Sequence, residues 1–152
     1  MGCGRVGATL ARSLSDRNHD VAVIDMDPGS FRRLGRSFEG RTVTGMGFDR
    51  GVLISAGIRE AYAFAAVSSG DNSNILAARV ARETFGVEHV AARIYDPRRA
   101  AVYQRLGIPT VATVRWTVLG TAIDVIGADV SLVLPYPGTF TVRQQVTDGD
   151  GS

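Results

Sequence analysis

Hydrophobic positions recur in this chain at two alternating spacings. Over residues 5–17, Val6, Leu10 and Leu14 fall at i, i+4 and i+8 while Arg12, Asp16 and Arg17 lie off that stripe, which predicts an amphipathic helix. Residues 20–25 (D-V-A-V-I-D) are short and β-branched and predict a strand, after which Pro28 suits the first turn of a helix over about 29–38. The alternation then repeats. A strand at 41–44 ends at Gly45, and a helix from Asp49 to Ala56 stops at Gly57. The most apolar strand, 61–67, leads to a long helix capped by Asp71 or Asn72 and running through Phe85 to Gly86. A strand at 89–94, a helix at 97–106 closed by Gly107, and a strand at 109–114 follow. Strands separated by helices build a parallel sheet with both faces covered. From Arg115 the alternation weakens into an apolar stretch to Ile126, a strand-like 131–134, a turn at 135–138, a β-rich 139–146 and a polar tail. The expected organisation is one α/β domain over 1–114 and a short unassigned extension over 115–152, with no internal repeat.

Composition narrows the class. At 152 residues, 45% hydrophobic and 21% charged, the chain has the make-up of one globular domain and not of a disordered or fibrous protein. Seventeen basic against fifteen acidic side chains leave +2, so no nucleic-acid partner is implied. Eighteen glycines are more than ordinary usage and call for tight turns or close backbone approach. The single cysteine excludes an internal disulfide framework and fits a reducing compartment. No apolar run approaches the roughly 20 residues of a spanning helix, and the first residues lack the apolar stretch of a secretory leader. The cytosol is the expected location.

The candidate chemistry begins at the second residue. Gly2-Cys3-Gly4-Arg5-Val6-Gly7 is a G-x-G-x-x-G run opening the first helix, and Asp25 ends the next strand. Such glycines permit a tight turn and let a pyrophosphate approach the backbone, where free N–H groups and the positive end of the helix dipole stabilise its charge. A carboxylate at Asp25 can accept from both ribose hydroxyls and would repel a 2′-phosphate, so NAD or an adenosine nucleotide is expected over NADP. Strand, helix and carboxylate together outweigh the plainer reading of a glycine turn beside an acidic strand end. A dinucleotide fold also needs a buried strand before the first glycine, and only Met1 precedes Gly2. That strand lies at the centre of a 3-2-1-4-5-6 sheet. The expectation is a reading frame beginning upstream, with four to six residues rich in Val and Ile and Met1 as the strand's last residue, roughly a usual strand length.

At this point the chain resembles the nucleotide-binding domain of TrkA/KtrA-like potassium-uptake regulators, the RCK or KTN domains, over residues 1 to about 114. The blocks carrying the resemblance are G-C-G-R-V-G-A-T-L-A (2–11), V-I-D-M-D (23–27), T-G-M-G-F-D (44–49) and V-L-I-S-A-G-I (52–58). A-V-S-S-G-D-N-S-N-I-L-A-A (66–78), A-R-I-Y-D (92–96) and L-G-I-P (106–109) complete the series. The resemblance implies a Rossmann-like, doubly wound and mainly parallel sheet whose first strand is cropped. It also implies a cytosolic gating subunit of a membrane potassium transporter or channel, assembled as a homodimer or higher ring, held at the inner face of the membrane by its partner. Its ligand would be NAD or NADH, or alternatively ATP or ADP. Carried over by position, Gly2, Gly4, Arg5, Val6 and Gly7 hold phosphates, Asp25 with Met26 meets the ribose, and Gly45, Met46, Gly47 and Phe48 border the adenine. Ser68 and Arg93 line the cleft, where an arginine can pair with phosphate oxygens. The residues after Val118 are too few and too unlike the family's second regulatory subdomain to be mapped onto it.

Other residues invite function and have plainer readings. Cys3 stands near a helix N-terminus, where a thiol could sense redox state, but a small buried spacer is the better reading. His19 and His89 have no ligand spacing, and Arg32-Arg33 and Arg98-Arg99 read as solvated helix faces. Trp116 reads as a core or boundary residue, and Tyr103 with Leu106 and Ile108 as a self-association patch. No activated nucleophile or acid–base pair is evident, so no enzyme is expected. The alternative is an NAD-dependent oxidoreductase fragment lacking its substrate domain.

Overall fold

Glycines and single polar caps set the element boundaries. The computed structural model describes residues 1–105, 107, 110–112, 131–132 and 140–141. The chain divides into two units, Met1–Thr113 and Val114–Ser152. In the first, α1 (Arg5–Asp16) starts after Gly4, which holds an extended conformation. Its fully buried stripe is Gly7, Ala8 and Ala11, while Val6, Leu10 and Leu14 are only half-buried. The helix is thus turned from the expected leucine face toward its smallest residues, of which Ala8 and Ala11 share a core with Val23 of β1 (Ala22–Asp25).

The helix expected over 29–38 is instead a 3-10 helix, Pro28–Leu34. Asp27 accepts from the Gly29 N–H at 2.9 Å, Gly29 and Ser30 are weak α-helix formers, and Gly35 ends the element at φ +77°. β2 (Arg41–Thr44) follows, then α2 (Arg50–Ser55), whose N-terminus is capped by the Asp49 carboxylate on the Val52 N–H at 2.9 Å. β3 (Ala63–Ala66) leads to α3 (Asp71–Arg79), which continues as a π turn over Val80–Thr84. The N-cap of α3 is Gly70 and not Asp71 or Asn72, because the Asp71 carboxylate is committed to the backbone after β4. β4 (His89–Ile94), α4 (Pro97–Arg105) and β5 (Thr110–Ala112) complete the unit.

All pairings in this unit are parallel. β1 runs beside β2 from Ala22↔Arg41 to Asp25↔Thr44, and β4 lies between β3 and β5, with Ala63↔His89 and Ala92↔Thr110. Between the two sheets lie Met1 and Gly2. The Met1 amine donates to the Ala65 carbonyl at 2.8 Å, the Met1 carbonyl accepts from the Val67 N–H at 2.8 Å, and the Gly2 N–H donates to the Ile24 carbonyl at 2.8 Å. The order is therefore β2-β1-(Met1–Gly2)-β3-β4-β5, a doubly wound arrangement with Met1 and Gly2 at its central position, where the end of a first strand was expected. A larger core joins Ile24, Leu53, Phe64, Ile75, Val90 and Ile94, and a smaller one joins Cys3, Ala8, Ala11, Val23 and Leu34. Neighbouring residues of β1, Val23 and Ile24, point into different cores, as alternation along a strand requires. In the second unit β6 (Ser131–Leu132) pairs antiparallel with β7 (Phe140–Thr141). Trp116, the 135–138 turn and the tail lie outside the described residues.

Candidate functional site

Three glycines open the site, and they are required for different reasons. Gly2 has φ +92°, and a Cβ there would lie 2.6 Å from the Ser68 nitrogen. A Cβ on Gly7 would run into the Gly2 carbonyl oxygen. These two glycines bring the turn, α1 and the end of β3 into contact. Gly4 is different, since a Cβ there would meet nothing within 4 Å. Its bare face opens beside the α1 N-terminus, which has neither a side-chain cap nor an acidic residue in its first turn. An uncapped helix N-terminus at an open glycine is chemically suited to an anion.

Asp25 is the last residue of β1, and its carboxylate faces this turn. Oδ2 accepts from the Cys3 N–H at 2.6 Å and Oδ1 from the Asp27 N–H at 2.9 Å. Each oxygen keeps acceptor capacity for a hydroxyl. The Gly45 N–H donates to the Asp25 carbonyl at 2.9 Å, which ties the exit of β2 to the same corner. Gly47 is buried against the Met1 side chain, and Phe48 packs on the larger core. Met26 and Met46 lie just past the ends of the neighbouring strands β1 and β2 and are 64% and 47% exposed, an apolar rim open to solvent. Cys3 is fully buried, with its Sγ donating to the Ser30 carbonyl at 3.4 Å. Burial, and then the Asp25 charge, push the thiol pKa up, as suits a small packed spacer.

The opposite wall is Ser68, fixed by a residue that the sequence did not single out. Asn74 is fully buried, and its Oδ1 accepts from the Ser68 N–H at 2.9 Å and the Ser68 hydroxyl at 2.7 Å. Its Nδ2 donates to the carbonyls of Ser68 at 2.9 Å and Arg93 at 2.8 Å. One carboxamide thus knots the ends of β3 and β4. Asp71 reinforces the knot, accepting from the N–H groups of Tyr95 at 2.7 Å and Asp96 at 3.1 Å. The available signal was the spacing Asn74, Ala78, Ala81, which sets one polar residue on the buried stripe of a helix.

Gly2, Gly4, Gly7, Asp25, Gly45, Gly47 and Ser68 are brought together. The Arg93 backbone joins them through Asn74, but its guanidinium stacks on the Tyr95 ring, 4.3 Å from the centroid. Arg5 is exposed and Val6 half-buried on the first turn of α1. His19 is exposed, and His89 lies tilted against Tyr62 with ring centroids 4.4 Å apart. Among the described residues no three His, Cys, Asp or Glu side chains form a metal cluster. The paired arginines 32–33 and 98–99 are exposed. Tyr103 is half-buried against the larger core, while Leu106 and Ile108 lie outside the described residues.

Residues 1–114 match the model of the TrkA-N domain. The chain belongs to the TrkA-N domain family. Over 117 residues it is 78% identical to the Trk system potassium uptake protein TrkA of Streptomyces coelicolor, an alignment that covers 77% of this chain and 52% of that protein. The chain therefore spans about half the length of that relative. Among solved structures, this TrkA-N domain is similar to that of the inner membrane protein ybaL from Escherichia coli. There the TM-score is 0.67 at 20% identity, covering 78% of this chain and 87% of that one. The Kef CTD from Shewanella denitrificans in its AMP-bound form gives 0.64 at 21% identity, covering 83% of each chain. At these identities the likeness is one of fold, and that fold is Rossmann-like α/β.

Proposed function

We propose that this chain is the nucleotide-sensing part of a potassium-uptake regulator, binding NAD(H) or an adenine nucleotide in the cleft bounded by Asp25, Gly4 and Ser68. The observation that carries the reading is the Asp25 carboxylate at the end of β1, turned onto the Cys3 N–H of a glycine turn that is open at Gly4. In this reading the Gly2–Gly7 turn, with the N–H groups of Arg5 and Val6, receives the phosphates. Asp25 and Met26 hold the ribose, Gly45, Met46, Gly47 and Phe48 border the base, and Ser68 and Arg93 close the far side. The AMP-bound state of the Shewanella Kef domain and the potassium-uptake name of the Streptomyces relative support the assignment.

When bound, the nucleotide supplies charge and contacts that favour one assembly state over another, and a ligand shifts such an equilibrium only by its difference in affinity for the two. No bond is broken. The partner is a membrane potassium transporter or channel subunit, the regulator is a homodimer or larger ring, and it works at the cytoplasmic face. Residues 1–114 form the sensing domain and 115–152 an extension of separate role.

Thermal unfolding with NAD, NADH, ATP and ADP, with nicotinamide absorbance followed against candidate substrates, tests the reading. Stabilisation without turnover is expected, and Asp25→Ala should weaken the bound nucleotide by about tenfold or more, as loss of hydrogen bonds to a charged group implies. Turnover would make the chain an oxidoreductase fragment, and unchanged affinity would remove Asp25 from the site.

A further inference from the structure

The hydrogen-bond polarity of Ser68 is determined by Asn74, and it bears on which nucleotide the cleft selects. A carboxamide has one oxygen that accepts and one nitrogen that donates twice. The two groups facing one end of Asn74 are the carbonyl oxygens of Ser68 and Arg93, which can only accept, so that end is Nδ2. Oδ1 therefore faces the Ser68 N–H and hydroxyl, and the reversed orientation would set oxygen against two carbonyls. The Ser68 hydroxyl must then give its single proton to Asn74 Oδ1, at 2.7 Å. The Gly70 N–H takes one of its lone pairs at 3.4 Å, and what remains for the cleft is a lone pair alone.

Ser68 is on the other side of the glycine turn from Asp25. The Gly2 N–H meets the Ile24 carbonyl on β1, and the missing side chain of Gly2 leaves room for the Ser68 backbone on β3. A nucleotide held with its ribose at Asp25 and its phosphates at Gly4 would present its next chemical group toward Ser68, across the turn. In a dinucleotide that group is a second ribose, which carries O–H donors. In a nucleoside triphosphate it is a terminal phosphate, which carries acceptors and negative charge.

We infer that Asn74, by holding Ser68 as an acceptor-only hydroxyl, makes the cleft select NAD(H) over ATP; Ser68 is the specificity-determining contact and Asn74 its positioning residue. The inference rests on the nucleotide reading above, and the following comparison separates the two. The whole 152-residue chain is titrated calorimetrically with NADH and with ATP, alongside Ser68→Ala, Ser68→Thr and Asn74→Ala. The unmodified chain should bind NADH more tightly than ATP. Ser68→Ala should weaken NADH about three- to tenfold, the range for one neutral hydrogen bond, and change ATP less than twofold. Ser68→Thr, which keeps the hydroxyl, should restore the NADH affinity. Asn74→Ala frees the Ser68 proton to donate and should move the NADH-to-ATP ratio toward ATP. If Asn74→Ala does not fold, the Ser68 pair decides alone. An equal effect of Ser68→Ala on both nucleotides, or none on either, overturns the inference while leaving the nucleotide site standing. Binding of neither nucleotide to the unmodified chain overturns both.

Discussion

A glycine at each of three positions reads identically in a motif and differently in space. Gly7→Ala forces a methyl group into the Gly2 carbonyl and should cost about 1–3 kcal/mol in urea unfolding, the usual range for an overpacked site. Gly4→Ala meets open space, so its unfolding free energy should stay within about 0.5 kcal/mol of the parent. Its nucleotide affinity should nevertheless fall tenfold or more, because the methyl occupies the approach to the helix N-terminus. A Gly4 variant that unfolds early, or binds normally, would count against this division. The place of Asp25, at a strand end and facing the glycine turn, could be read from sequence because a short β-branched run after the first helix fixes where that strand ends. Asn74 could not, because an asparagine in a predicted helix usually faces water, and its role arises only where the ends of β3 and β4 meet.

Elements with one dominant determinant were legible, and those in which two determinants compete were not. β4 was read to the residue, since alternating burial on a parallel strand leaves a regular pattern. The 3-10 helix was not, because Pro28 promises an α-helix while the Asp27 cap, Gly29 and Gly35 favour a tighter and shorter turn. On α1 the leucine spacing predicted a face that is only half-buried, since the helix sets Gly7 against the Gly2 carbonyl and Ala8 and Ala11 into the smaller core with Cys3, Val23 and Leu34. α2 shows how much one cap matters in a short helix. Asp49→Ala removes the acceptor for the Val52 N–H and should lower stability by about 1 kcal/mol in urea. Asp49→Ser should recover most of that loss, and a Ser variant no better than Ala would mean that the cap is not the cause.

For the whole molecule, a parallel α/β order was legible in the alternation of elements, and so was the central place of Met1, which lies between β1 and β3 where the end of a first strand was expected. Burial pulls the pKa of the Met1 amine from 8.0 down to about 6, against the opposing pull of the Asp25 charge. Between those values the unfolded chain binds a proton that the folded chain does not, so stability rises with pH through this window. For the 152-residue chain with a free Met1 amine, unfolding should cost about 2–3 kcal/mol more at pH 8.5 than at pH 5.5 from this group. One residue added ahead of Met1 turns the amine into a peptide N–H and should remove that part of the slope; an unchanged slope would assign it elsewhere. The two cores have a further consequence. The smaller has five buried side chains, Cys3, Ala8, Ala11, Val23 and Leu34, with Val21, Phe31 and Phe38 only partly buried against it, so α1 rests on a smaller buried apolar area than α3. In native-state amide exchange, α1 should open well before α3, which is seated in the larger core. An occupant at the α1 N-terminus would then protect that layer first, by about 2.7 kcal/mol at a hundredfold excess over Kd. Nucleotide level would be written into the molecule as the firmness of a single helix, a signal that needs no change of shape to be felt by whatever leans against it.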